Sequence, residues 1–145
     1  MFATDPTTKR TDRMTLASTR QAGGLAIARR LGWLAAFGAA IGFAAFEVIE
    51  HGLGPVPIIA FLIMPDLAML AGIGQPHLPR QLPARAVPAY NLLHQPLLPI
   101  AFVAVALILP LDLFWFVAGL AWFAHIAIDR AVGYGQRTPD GWQRG

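Results

Sequence analysis

Four apolar stretches, 31–50, 54–73, 89–109 and 112–131, separated by polar connections, make up most of this 145-residue chain. Each matches the ~20 residues that an α-helix needs to cross a hydrocarbon layer ~30 Å thick. In lipid a spanning segment must satisfy its own backbone polar groups, so the pattern predicts helices. The expected fold is all-α, a polytopic membrane protein built as a four-transmembrane-helix bundle.

Local signals set the ends of these spans. The first follows Arg29 and Arg30, and its Gly38, Gly42 and Ala45 form a small-xxx-small stripe suited to close helix packing. Pro55 and Pro57 suit the start of the second span, while Pro65 removes a backbone donor, bends the helix and frees a carbonyl beside Asp66. Residues 74–88 are too rich in proline and arginine to cross a bilayer and read as a surface loop. The third and fourth spans form a helical hairpin, with Asp112 as N-cap of the fourth and Gly133 as its stop. Residues 1–24 are polar, Thr-rich and basic without an apolar core, which excludes a secretory signal and predicts a disordered cytoplasmic tail. A transit peptide is disfavoured by Asp5 and Asp12, and 134–145 read as an irregular polar tail.

Composition agrees with a membrane protein: 56% of residues are hydrophobic and only 13% are charged. There is no cysteine, so disulfides and thiolate metal sites are excluded, and any metal must be held by histidine and carboxylate. All the lysine and arginine lies before the first span, in the 74–88 loop, or at and beyond the end of the fourth span. That asymmetry predicts a bacterial inner-membrane protein with both termini and the loop in the cytoplasm. Basic residues in such flanks serve orientation and anionic headgroups, so no nucleic-acid partner is expected. Oligomeric state has no signature in the chain.

Asp66, Asn91, His94, His125 and Asp129 interrupt the apolar spans, and ionisable groups in lipid require a partner, a proton, a metal or water. At a rise of ~1.5 Å per residue they fall in the cytoplasmic half of the bilayer. His125 and Asp129 are four residues apart and share a helix face, as do Asn91, His94 and Gln95. Two histidines and two carboxylates suit zinc, manganese or iron. Glu47, Glu50 and His51 form a second polar group, placed by depth at the outer surface as interfacial carboxylates, with His51 as a second-tier ligand.

The segments PDLAML (65–70), YNLLHQPLLP (90–99) and AHIAIDRAVGYG (124–135) resemble the motifs of an uncharacterised family of small four-span bacterial membrane proteins, the domain of unknown function 4260 family. The likeness covers about 60–137. The chain departs from it at Ala68, where the family has serine, and at Gln136 and Arg137, where it has leucine and lysine. A looser likeness is to membrane-bound metal-dependent hydrolases, whose late histidine and aspartate correspond to His125 and Asp129, with a single Asp66 and with Asn91 at a histidine position. This second resemblance implies hydrolysis of a lipid or amphiphilic ester or phosphoester. Asp66, His94, His125 and Asp129 would be metal ligands, with Asp66 and His125 catalytic; Asn91, Arg130 and Arg137 would contact substrate, and Arg80 and Arg85 would steer an anionic headgroup. The residues alone equally allow a non-enzymatic protein that uses the group for ligand binding, proton relay or helix packing.

Overall fold

The computed structural model describes residues 6–144, with side chains from Gln21 onward; the ends of the two expected tails, 1–5 and 145, lie outside the described residues. Regular structure among the described residues is helical, apart from one isolated antiparallel bridge between Arg137 and Gln143. The α-helices are α1 (Pro6–Glu50), α2 (Val56–Ile63), α3 (Val87–Leu93), α4 (Leu97–Ile108) and α5 (Leu113–Val132). Two 3₁₀ segments, Met64–Gly72 and Ala84–Ala86, lie between α2 and α3.

α1 begins at Pro6, well before the expected start of the first span. Proline suits the first turn of a helix, and none occurs again before Pro55 to break it. The helix stops where Gly52 takes a φ of 63° and the Leu53 amide donates to the Val48 carbonyl at 3.0 Å, a glycine-dependent C-cap. α5 has defined caps at both ends: the Asp112 carboxylate accepts from the Phe114 amide at 2.8 Å, and Gly133 adopts a left-handed φ of 99°.

Two helices are long and apolar enough to cross a membrane by themselves, Gln21–Glu50 and Leu113–Val132. A third span exists if Ala84–Leu93 and Leu97–Ile108, which meet at a 43° bend, count as one. The expected 54–73 and 89–109 spans are therefore both broken, the first at the proline expected to bend it. Each break sits at a proline. Pro65 follows the change from α to 3₁₀ hydrogen bonding at Met64, and Pro96 lies in the gap between α3 and α4. A proline lacks the donor that continues a helix, so the hydrogen-bond ladder is interrupted there.

α5 is the centre of the bundle, with α1, α2 and α4 all packed on it. Its Val117, Ala118, Ala121, Ala124, Ile126 and Ala127 are fully enclosed. Lipid gives helices no hydrophobic reason to associate, so small residues that allow close van der Waals approach carry the packing. Gly119 shows this directly, since a Cβ there would lie 2.6 Å from Val103 Cγ2 of α4. On α1 the buried small residues are Ala40 and Ala44, while Gly38 and Gly42 face open space, so the packed small residues lie on the face opposite to the expected stripe. Aromatic pairs fasten the antiparallel contact of α1 with α5, Trp33 with Phe123 at 6.4 Å and Phe43 with Phe116 at 5.8 Å between ring centroids. Large apolar side chains such as Leu34, Phe46, Ile59, Leu70, Leu107 and Ile108 point outward, as suits a lipid-facing surface.

The C-terminal segment, without regular structure apart from the one bridge, is held by specific hydrogen bonds. Thr138 and Trp142 bond to each other, and the tail docks on the 74–86 loop, where the Leu82 amide donates to the Gly141 carbonyl at 2.9 Å. Gly141 is needed there: its φ is 92°, and a Cβ would sit 1.8 Å from the Leu82 carbonyl oxygen.

Candidate functional site

Three segments bring four polar side chains to one point. α5 supplies His125 and Asp129 one turn apart, His94 caps the end of α3, and Asp66 lies in the first turn of the 3₁₀ segment after α2. His94 Nε2 lies 3.2 Å from His125 Nε2, 3.4 Å from Asp66 Oδ1 and 3.6 Å from Asp129 Oδ2. His125 Nε2 lies 3.7 Å from Asp66 Oδ1 and 3.8 Å from Asp129 Oδ2. Both histidines are buried, whereas the Asp66 side chain is 43% exposed, so the cluster opens on its Asp66 side.

The helix breaks create this geometry. In the 3₁₀ register the donor to the Leu62 carbonyl would be residue 65, a proline with no N–H. The Leu62 carbonyl instead accepts from His125 Nδ1 at 2.7 Å. At the second break, carbonyls that a continuous helix would use are taken by α5 side chains. Trp122 Nε1 donates to Leu93 O at 2.8 Å and Arg130 Nη2 to His94 O at 3.2 Å. Irregular backbone at membrane depth is tolerable when protein groups satisfy it in this way.

His94 is oriented from its own helix, with Nδ1 2.9 Å from the Tyr90 carbonyl and its ring stacked on the Tyr90 ring at 3.8 Å. A carbonyl only accepts, so Nδ1 of each histidine carries a proton, and in the neutral ring each Nε2 is a bare lone pair. The two Nε2 atoms and the two carboxylates then form a group made only of acceptors. Such a group needs a metal ion within it or protons on its members. Ligand atoms ~2.1 Å from a tetrahedral metal lie ~3.4 Å from one another, which is the spacing found here. Backbone carbonyls that fix ligand histidines through their other nitrogen are a regular feature of metal sites. Asp66, His94 and His125 offer ligand atoms within 4.8 Å of one another and can hold a metal ion.

Asn91 and Arg137 occupy a different position. The Asn91 amide pairs with the backbone of Arg137, donating to its carbonyl at 2.8 Å and accepting from its amide at 2.7 Å. The Arg137 guanidinium lies over the Tyr90 ring, 5.6 Å from its centroid, and donates to the Arg80 carbonyl at 3.2 Å. Together they hold the C-terminal segment against the Tyr90 ring, which stacks on His94. The chain spacing gave no sign of this latch, because the partners are 46 residues apart. Arg130 bridges the cluster to the surface, and Arg85 is exposed.

Glu47 and His51 pair on a single turn of chain, His51 Nδ1 lying 3.3 Å from Glu47 Oε2. The antiparallel packing of α1 on α5 puts them at the N-terminal end of α5, at the opposite end from His125.

A family model described as a domain of unknown function (DUF4260) matches residues 30–145. No curated protein and no solved structure matches the chain. The chain belongs to the DUF4260 family.

Proposed function

We propose that this member of the DUF4260 family is a four-span inner-membrane protein with a divalent-metal centre in its cytoplasmic half, and that the centre hydrolyses an amphiphilic ester or phosphoester. The observation that carries the reading is the pair of histidines whose Nδ1 atoms are committed to backbone carbonyls while their Nε2 atoms meet at 3.2 Å beside two carboxylates. A proton on one Nε2 hydrogen-bonds to one acceptor at a time, whereas a metal ion would be ligated by several of them at once.

The four-span reading draws on the length of the broken second segment. Eight α-helical residues and nine 3₁₀ residues in Val56–Gly72 rise by up to ~30 Å, enough for the hydrocarbon layer. With that segment and the bent pair both crossing, every described arginine falls on one side, the cytoplasmic one.

His94, His125 and Asp129 are assigned as ligands, with zinc, manganese or iron as the suitable ions. Bound there, a divalent ion supplies water of lowered pKa at neutral pH. Asp66, the exposed carboxylate, is placed to accept the proton of that water and to meet substrate at the opening. Burial of both imidazoles excludes bulk water from the opposite side.

Elemental analysis of the purified full-length protein tests the centre. We expect about one metal per chain in the wild type and none in Asp129→Asn. A folded wild type that stays metal-free after incubation with zinc, manganese and iron(II) discards the reading. Release of fatty acid or phosphate from short-chain phospholipids by the metal-loaded protein tests the hydrolase assignment.

A further inference from the structure

A second site lies one turn beyond Asp129. A surface cavity of about 670 Å³ is lined by Arg29, Arg30, Arg130 and Arg144, with Trp33 and Tyr134 at its wall. The four guanidinium groups come from three separate parts of the chain: α1, the end of α5 and the C-terminal segment. Among the described residues no carboxylate lines the cavity and no ion pair uses an arginine. The nearest acid in sequence, Asp129, faces the two histidines.

We infer that this cavity binds the phosphate group of a phosphate ester at the membrane surface. Four like charges repel one another unless an anion lies between them, and planar guanidinium groups match phosphate oxygens in paired hydrogen bonds. The backbone is shaped to admit the arginines. A Cβ at Gly133 would meet Arg30 Nη2 at 3.0 Å, and one at Gly135 would meet Arg130 Nη1 at 2.9 Å. The Gln143 amide caps the Gly133 carbonyl, which removes an acceptor that would oppose an anion at this helix end. The volume suits a headgroup-sized ligand, and tryptophan and tyrosine at the wall suit the interfacial level of a bilayer.

Arg130 ties the cavity to the metal centre, because its Nη2 donates to the His94 carbonyl at 3.2 Å. As a statement of substrate class, phosphate ester, the inference rests on the metal-centre reading; as a binding site it stands alone.

The test uses full-length protein in neutral detergent. Inorganic phosphate and glycerol phosphate are titrated by calorimetry. In parallel, delipidated protein is offered phosphatidylglycerol or phosphatidylcholine and examined by native mass spectrometry. Saturable binding of glycerol phosphate supports a soluble phosphate ester. Preferential retention of phosphatidylglycerol without response to the soluble phosphates supports a lipid headgroup. In either case Arg30→Gln combined with Arg144→Gln weakens binding by about 10-fold or more, with helicity and elution unchanged. Glu50→Gln, which changes one charge at the far end of α1, outside the cavity, keeps wild-type affinity. The inference is overturned if the wild type binds no phosphate and prefers neither lipid, or if the double variant binds as tightly as the wild type. His125→Ala separates the two sites: it is expected to lose metal and keep phosphate binding.

Discussion

Two groups of histidine and carboxylate stand at opposite ends of this bundle, and they begin from the same local device. His51 Nδ1 lies 3.2 Å from the Glu47 carbonyl, four residues back, and His94 Nδ1 lies 2.9 Å from the Tyr90 carbonyl at the same spacing. Beyond that they diverge. His51 is 53% exposed and its carboxylate partner comes from its own helix turn. His94 is 3% exposed, and its Nε2 meets side chains from two other segments. Spacing along a helix can orient an imidazole, but only convergence of separate segments surrounds its free nitrogen with acceptors. Water reaches the exposed His51 directly, whereas the inner histidines have to find their compensation inside the protein.

Substitutions at the two ends should break that parallel, most strongly at His125. His125→Ala is expected to abolish stoichiometric metal, read by elemental analysis of folded protein, because it removes a ligand and strands the Leu62 carbonyl. If the variant retains wild-type metal content, the inner group is not a metal centre. Asp66→Asn should keep the metal and lower hydrolytic turnover by about 10²- to 10⁴-fold, the range for loss of a general base. Equal turnover in the two proteins would remove Asp66 from the chemistry.

Pro65→Ala tests whether the helix break is part of the site. An amide at residue 65 can compete for the Leu62 carbonyl, so His125 loses its fixed orientation and metal affinity falls by about 10- to 100-fold. An unchanged affinity by competition with a chelator would show that the break serves only to bend the chain. The smallest effect belongs to the outer pair: His51→Ala, at the exposed partner, should change stability by less than ~0.5 kcal/mol. Metal content should not change. A loss of metal there would mean that the two ends are coupled and that their contrast is not as drawn.

Much of the fold is legible from local pattern. The helix caps at Asp112 and Gly133 follow from single residues and their neighbours, and Pro65 announces a freed carbonyl. The shared face of His125 and Asp129 follows from a spacing of four. What the pattern does not show is which partners take up the freed groups. Trp122 reads as one of the apolar residues of the fourth span and Arg130 as a substrate contact, yet each satisfies a carbonyl at the α3–α4 break. Arg29 and Arg30 read as orientation signals, and only the packing of α1 on α5 brings them to Arg130 and Arg144. Asn91 reads as a substrate or packing residue, and the tail that it holds folds back from 46 residues away.

The sequence by itself determined the helical class, the membrane setting and the residue types available for chemistry, because hydrophobic length, proline positions and the absence of cysteine are properties of the chain alone. Only the tertiary structure decided that α5 is central, that two proline breaks face it, and that His94 and His125 meet nitrogen to nitrogen. Those outcomes depend on contacts between segments far apart in the chain, and the energy of an acceptor-only cluster exists only once they come together.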